Sequence, residues 1–420
     1  MVYNKEDDEN NLNCNDVDGL CELHHPTPNR RSFIVVTITT LILLMGATIP
    51  TPLYGIYRNE FALSQISITL IYAAYSVGVV PTLFFFGPLG DAVGRKPLLI
   101  LAVVISLIGT GIIGLAPGLE WLIIGRLAQG VGIGAVLGNA TAALVELETY
   151  GNKQRASQVA SMALLGGLGL GPLIAGFMAQ YLSYPTLLPY ILEIILLLIV
   201  LILVLTIKGA SSRGDTGFHI RKPTIPKAKL SFISASLASA IVLAMSGLYF
   251  SLAPSYVQNI LSTNNIAIGG IISSTMVFTS VLVQYILWDR FPIRLELFGL
   301  LSVIIGLIFI LLTSTYHSFA LFITGAVISG IGFGTTFMGA VNVINRISPE
   351  DKRGDVSSSF YAISYFALGI PIIGLGIAAQ YTNLFSAVQY FIIVIIIITL
   401  ITIPLVFKQY NDLENNASLK

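Results

Sequence analysis

The stretch Leu122–Gly138, LIIGRLAQGVGIGAVLG, sets one arginine inside an apolar run long enough to cross a bilayer. A cation at that depth costs roughly 2.5 kcal/mol or more, so Arg126 is expected to face a bundle interior or a water-filled path. Gln129 lies one turn on and shares its face. Gly130, Gly134 and Gly138 follow at four-residue spacing, a stripe without side chains on which another helix can pack closely. Two hundred residues later the pattern returns: Gly330, Gly332 and Gly334 in SGIGFG stand where Gly130, Gly132 and Gly134 stand in QGVGIG. The same offset relates Gly176, Ala179, Gln180 and Tyr181 to Gly376, Ala379, Gln380 and Tyr381, while Pro172 returns one place early as Pro371. The chain is thus two copies of one unit, with Ala326 standing in place of Arg126 in the second. Such symmetry between membrane halves marks a secondary transporter, with its substrate site between them.

Composition agrees. Of 420 residues, 55% are hydrophobic and 10% charged, where soluble proteins carry roughly 25% charged residues. Twelve apolar segments lie near 33–55, 68–89, 97–117, 119–142, 156–180, 186–206, 231–252, 267–287, 294–314, 318–342, 357–379 and 384–407, each about the 20 residues a helix needs to span the hydrocarbon. The expected fold is an all-α membrane protein of twelve transmembrane helices in two pseudo-symmetric six-helix halves, 33–206 and 231–407. A tail at 1–32 precedes them, a linker at 207–230 joins them and a tail at 408–420 follows. With both tails placed in the cytoplasm, Arg58 is outside and Arg126 within the membrane, leaving 20 of the 22 lysines and arginines on the inner side. Six of these, Lys208, Arg213, Arg221, Lys222, Lys227 and Lys229, lie in the linker. The first tail is polar, is expected to be disordered, and lacks the apolar core of a signal peptide. Its Cys14, Cys21, His24 and His25 do not meet the spacing of a tetrahedral metal site, and no metal or cofactor is expected.

Segments 3, 6, 9 and 12 are nearly featureless and are expected to face lipid. Segments 1, 4, 7 and 10 carry polar or helix-breaking residues: Thr48, Pro50, Thr51 and Pro52; Arg126 and Gln129; Ser239, Ser246 and Tyr249; Thr335, Thr336 and Asn342. Thr48, Thr51, Gln129, Ser246, Tyr249, Thr336 and Asn342 are the candidates for lining a substrate cavity, although serine and threonine can also bond back to their own helix. Pro50 and Pro52 free main-chain carbonyls at the depth of Arg126, which has five N–H donors to offer them. Glu193 on segment 6 lies at a similar depth, as a partner of Arg126, a proton carrier, or a passive uncharged carboxyl. In GPLGDAVGRKP, residues 87–97, Gly87, Asp91, Gly94, Arg95 and Lys96 combine tight backbone approach with clustered charge, the mark of a gate. In segment 5, Gly167 and Gly171 lie four apart, with Pro172 and Gly176 beyond. This pattern predicts a bendable helix whose glycine face meets the other half.

These motifs resemble the major facilitator superfamily, and within it the twelve-helix proton-coupled drug antiporters, over roughly residues 33–407. Gly87, Leu89, Asp91, Gly94, Arg95 and Lys96 are similar to the loop signature G-x-L-x-D-x-x-G-R-K, with Ala92 where that family usually has arginine. Leu122, Arg126, Gln129 and Gly130 resemble L-x-x-x-R-x-x-Q-G, a signature the family links to proton coupling. Gly167, Gly171, Pro172 and Gly176 resemble the antiporter pattern of segment 5, and WDRFPIR, with Asp289, Arg290 and Arg294, looks like a degenerate second copy of the loop. The resemblance implies proton-coupled efflux of lipophilic or amphiphilic small molecules by a monomer in the plasma membrane, with Arg126 and Glu193 in proton coupling. The alternatives are proton-coupled uptake of a small metabolite and a non-transporting membrane sensor. The acidic residue that several drug exporters place in segment 1 is missing between Arg31 and Tyr57, and the signatures of sugar, peptide and organophosphate carriers are absent. An enzyme is not expected, because the glycine runs lie inside spans with no strand before them and no phosphate-loop lysine after them. A nucleic-acid partner is not expected either.

Overall fold

The computed structural model describes residues 12–14, 21–23, 30–148, 152–207, 220–251, 254–256, 265–287, 295–349 and 352–418. Lys208, Arg213, Asp289, Arg290, Arg294, His24, His25 and the Asp91 side chain lie outside the described residues. Twelve helices are long and apolar enough to cross a membrane. They are α1 (Arg30–Glu60), α2 (Gln65–Val93), α3 (Arg95–Gly114), α4 (Leu119–Leu147), α5 (Lys153–Tyr181) and α6 (Leu188–Leu205) in the first half. The second half holds α7 (Lys229–Ser251), α8 (Ile266–Ile286), α9 (Leu295–Tyr316), α10 (Phe319–Ile347), α11 (Arg353–Tyr381) and α12 (Leu384–Ser418). In the first tail, expected to be disordered, β1 (Leu12–Cys14) pairs antiparallel with β2 (Cys21–Leu23), Cys14 opposite Cys21.

Local chemistry explains where the helices begin and break. Ser64 and Ser318 accept hydrogen bonds from the N–H groups of Ser67 and Leu321, capping α2 and α10. Between α2 and α3 the chain turns at Gly94 with φ 93°, a conformation glycine adopts without strain. The first span is not one helix: it is α-helical at Arg30–Thr48, 3-10 at Thr51–Leu53 and α-helical again at Tyr54–Glu60. Pro50 and Pro52 cause the break, because neither has an N–H to continue the ladder.

The repeat in the sequence has a direct structural meaning. On α4, a Cβ at Gly130 would lie 2.2 Å from the Tyr75 carbonyl oxygen of α2, and one at Gly132 2.3 Å from Ser106 of α3. On α10, a Cβ at Gly330 would lie 2.3 Å from the Met276 carbonyl oxygen of α8, and one at Gly332 2.8 Å from Val303 of α9. Equivalent glycines therefore seat equivalent neighbours in the two halves, each at a distance that excludes any side chain. Gly134 continues the stripe against Thr82, while a Cβ on Gly138 would meet nothing within 4 Å.

The halves meet along two seams, α2 on α11 and α5 on α8. In the first, Thr69, Ser76 and Tyr75 face Gly376, Gly369 and Tyr365. In the second, the Ile266 N–H donates to Gln180 Oε1 at 2.7 Å, Ser274 donates to the Gly169 carbonyl at 2.7 Å, and Ser161 donates to Gln284 at 2.9 Å. These contacts run from one end of the seam to the other.

Candidate functional site

Arg126 and Glu193 are each 1% exposed. The break in α1 positions what they touch. Pro50 leaves the Gly46 carbonyl without its helical donor, and beyond Thr48 the ladder stops, so Gly46 and Ala47 present bare carbonyls inside the first half. Arg126 Nη1 donates to the Ala47 oxygen at 2.7 Å and to Gln129 Oε1 at 3.0 Å. Gln129 Nε2 reaches the Gly46 oxygen at 3.4 Å and Thr110 Oγ1 at 3.2 Å. The Thr110 side chain in turn stands beside the Glu193 carboxyl, which lies where a side chain on Gly46 would be. Arg126, Gln129 and Thr110 are thus joined by hydrogen bonds from α4 to α3, and Glu193 of α6 adjoins Thr110 as the last member of one polar chain. Among the described residues no carboxylate pairs directly with Arg126, and Arg126 Nε and Glu193 Oε2 are buried without a partner. The guanidinium also lies 4.9 Å from the centre of the Tyr75 ring, which stands 6.3 Å from that of Tyr365 in the other half. A charge held in this way interacts with Glu193 over a distance and with the seam through an aromatic face.

The remaining candidates are scattered. Thr48 donates to the Leu168 carbonyl of α5 at 3.0 Å, which Pro172 has left without its helical donor. Thr51 is buried in the break of α1. Ser246 bonds back to the Leu243 carbonyl at 2.8 Å. Tyr249 lines a small cavity inside the second half with Tyr256 and Phe322, and Thr336 lies against Gly299 of α9. Asn342 is half-buried on α10.

At the loop after α2, Arg95 Nη1 donates to Asn139 Oδ1 at 3.0 Å, and its Nε lies 3.2 Å from Glu146. Asn139 donates to the Phe86 and Ala135 carbonyls at 2.9 and 2.8 Å, tying the loop to α4. Lys96 caps α6 by donating to the Leu205 and Ile207 carbonyls at 2.8 and 3.0 Å. Thr110 and Asn139 do not stand out in the sequence, because a lone polar residue in an apolar span carries no spacing signal.

The segment 5 glycines need a correction. Gly167 and Gly171, expected to face the other half, face α1 of their own: a Cβ on either would lie 2.2 Å from Leu41 O or Thr48 Oγ1. Gly169 and Gly176 face α8 instead, against Phe278 and Gly270. Residues four apart share a face, as do residues seven apart, so α5 carries two glycine stripes on different sides.

Residues 36–370 match the Major Facilitator Superfamily. The chain belongs to this superfamily. Its fold is shared with a bacterial homolog of the human lysosomal transporter Spinster, solved inward-facing and unoccupied, at TM-score 0.68 and 16% identity, covering 90% of this chain and 96% of that one. Among the chain's relatives, an MFS-type transporter of Aspergillus terreus is 30% identical over 149 residues, 35% of this chain and 27% of the relative. The riboflavin transporter RibZ of Clostridioides difficile is 27% identical over 130 residues, 30% of this chain and 28% of the relative. The quinolone resistance protein NorA of Staphylococcus aureus is 21% identical over 150 residues, 36% of this chain and 39% of the relative. The matches thus span well under half the length of these relatives. The protein is a multi-pass membrane chain of the superfamily. No group of histidine, cysteine, aspartate or glutamate able to hold a metal occurs among the described residues.

Proposed function

We propose that the protein exports lipophilic or amphiphilic small molecules across the plasma membrane in exchange for protons, as a monomer with cytoplasmic termini, by alternating access. The observation that carries this reading is the chain Arg126–Gln129–Thr110–Glu193. A carboxyl joined to a buried cation through two neutral side chains can take up a proton without breaking an ion pair. Doing so removes its attraction for Arg126, and with it one force holding α1, α3, α4 and α6 together. Arg126 is joined to the seam by Tyr75 and Tyr365, so a change in the chain reaches the surface where the halves part. Similarity to a quinolone resistance protein supports efflux. Thr48, Thr51, Gln129, Ser246, Tyr249, Thr336 and Asn342 remain the proposed cavity residues, and the loop from Gly87 to Lys96 the proposed gate.

The test is uptake of a compound panel into inverted vesicles with and without an imposed proton gradient. Gradient-driven accumulation of a lipophilic compound is the expected result. Similarity to a riboflavin transporter favours a second reading, uptake of a small metabolite. Accumulation of such a nutrient by intact cells, with no lipophilic compound moved in vesicles, would replace efflux by uptake.

A further inference from the structure

α2 carries Pro88 near the end where the linker lies. With no N–H on Pro88, the Phe84 carbonyl one turn earlier loses its helical donor. The linker supplies one: the main-chain N–H of Arg221 donates to it at 3.1 Å. From this anchor the Arg221 side chain reaches across the seam, where Nη1 donates to Ser358 Oγ of α11 at 3.1 Å. The same hydroxyl donates to the Leu83 carbonyl of α2 at 3.0 Å. Three residues further on, the Thr224 N–H donates to Ser359 Oγ at 2.8 Å. A connection that only had to join α6 to α7 would need none of these bonds.

The guanidinium occupies space that both helices leave open. A Cβ on Gly87 of α2 would lie 2.3 Å from Nη1, and one on Gly354 of α11 would lie 2.7 Å from Cζ. The first glycine of the loop signature and a glycine in the first turn of α11 therefore form the two walls of one slot. On either side of Arg221, Ile220 and Lys222 are exposed, so water can compete for the segment and it can leave without unwinding a helix.

We propose that residues 220–224 form a strap latching the cytoplasmic ends of α2 and α11, and that Arg221 leaves its slot between Gly87 and Gly354 whenever the transporter opens to the cytoplasm. The strap acts on the seam itself, whatever the compound carried or the direction of transport.

The test needs neither substrate nor proton gradient. In the full chain with Cys14→Ser and Cys21→Ser, Ser76→Cys reports on the middle of the α2–α11 seam and Thr69→Cys on its other end. Labelling by a membrane-impermeant maleimide is followed in vesicles of both orientations, so that an error in the assigned topology is read separately. Arg221→Ala should speed labelling of the Ser76→Cys reporter from the linker side about tenfold, equivalent to ~1.4 kcal/mol. Gly87→Leu, which fills the slot and expels the guanidinium, should do the same. Ser358→Ala, a small change that leaves the slot open, should give a lesser increase. Unchanged labelling in an Arg221→Ala protein that still elutes as a single species would overturn the strap. An equal rise at the Thr69→Cys reporter would also overturn it, because it would mean general loosening.

Discussion

The guanidinium of Arg126 and the main-chain oxygen of Ala47 are 2.7 Å apart, so the membrane-buried charge of α4 is held by the frayed end of a helix in α1. Hydrogen bonds to charged groups contribute about 1.5–3 kcal/mol each, and this one also fixes the break in α1 relative to α4.

Arg126→Ala is therefore expected to leave the amount of protein in the membrane near normal while lowering transport by at least about tenfold, the loss of one such bond. Arg126→Lys should not fully restore it, because a point ammonium cannot bond Ala47 and Gln129 in the same geometry. Vesicle transport normalised to membrane protein measures both. Full activity of the alanine variant would leave Arg126 a packing residue.

Glu193→Gln keeps the shape of the side chain and removes its proton exchange. Transport by this variant should become insensitive to collapse of the proton gradient, whereas Thr110→Val, which cuts the chain but spares the carboxyl, should slow transport and retain the dependence. Substrate flux measured with and without a protonophore separates the two. A Glu193→Gln protein that still responds fully to the gradient would place the proton carrier elsewhere.

The two glycine stripes of α5 predict different defects. Gly176→Leu wedges α5 from Gly270 of α8 and should favour a state open at that end, read as faster thiol labelling there. Gly171→Leu pushes α5 off α1 within one half and should instead lower the yield of folded protein, with a greater effect than Leu170→Gly. The same labelling change in both variants would deny that the stripes have separate roles.

The proposed orientation rests on the distribution of the basic residues. Ser183→Cys should be labelled on intact cells, and Gly214→Cys only after permeabilisation, in a chain lacking Cys14 and Cys21. External labelling at position 214 would invert the topology.

The twelve spans and the two halves were legible because apolar length and a fixed offset survive in a linear pattern. Arg126 and Glu193 were legible for a related reason: a charge in such a run is conspicuous. What joins them was not, since Thr110 is one hydroxyl in the apolar span RKPLLILAVVISLIGTGIIG. The glycines of α5 announced close approach but not the neighbour, because spacing gives the width of a stripe and only the packed bundle gives its direction. Arg221 sat among other linker cations with nothing to distinguish it. The clue was elsewhere, in Pro88, whose missing N–H marks Phe84 as a carbonyl in need of an outside donor.

Pro50, Pro88 and Pro172 each leave one carbonyl bare, at Gly46, Phe84 and Leu168, and each is met by a donor from another element: Gln129, Arg221 and Thr48. A bond of this kind lies outside the helix's own ladder, so it can be traded for a water molecule without fraying a turn. The bundle can therefore shift and hydrate at these three points while every helix stays wound, and moving between states becomes an exchange of partners instead of local melting.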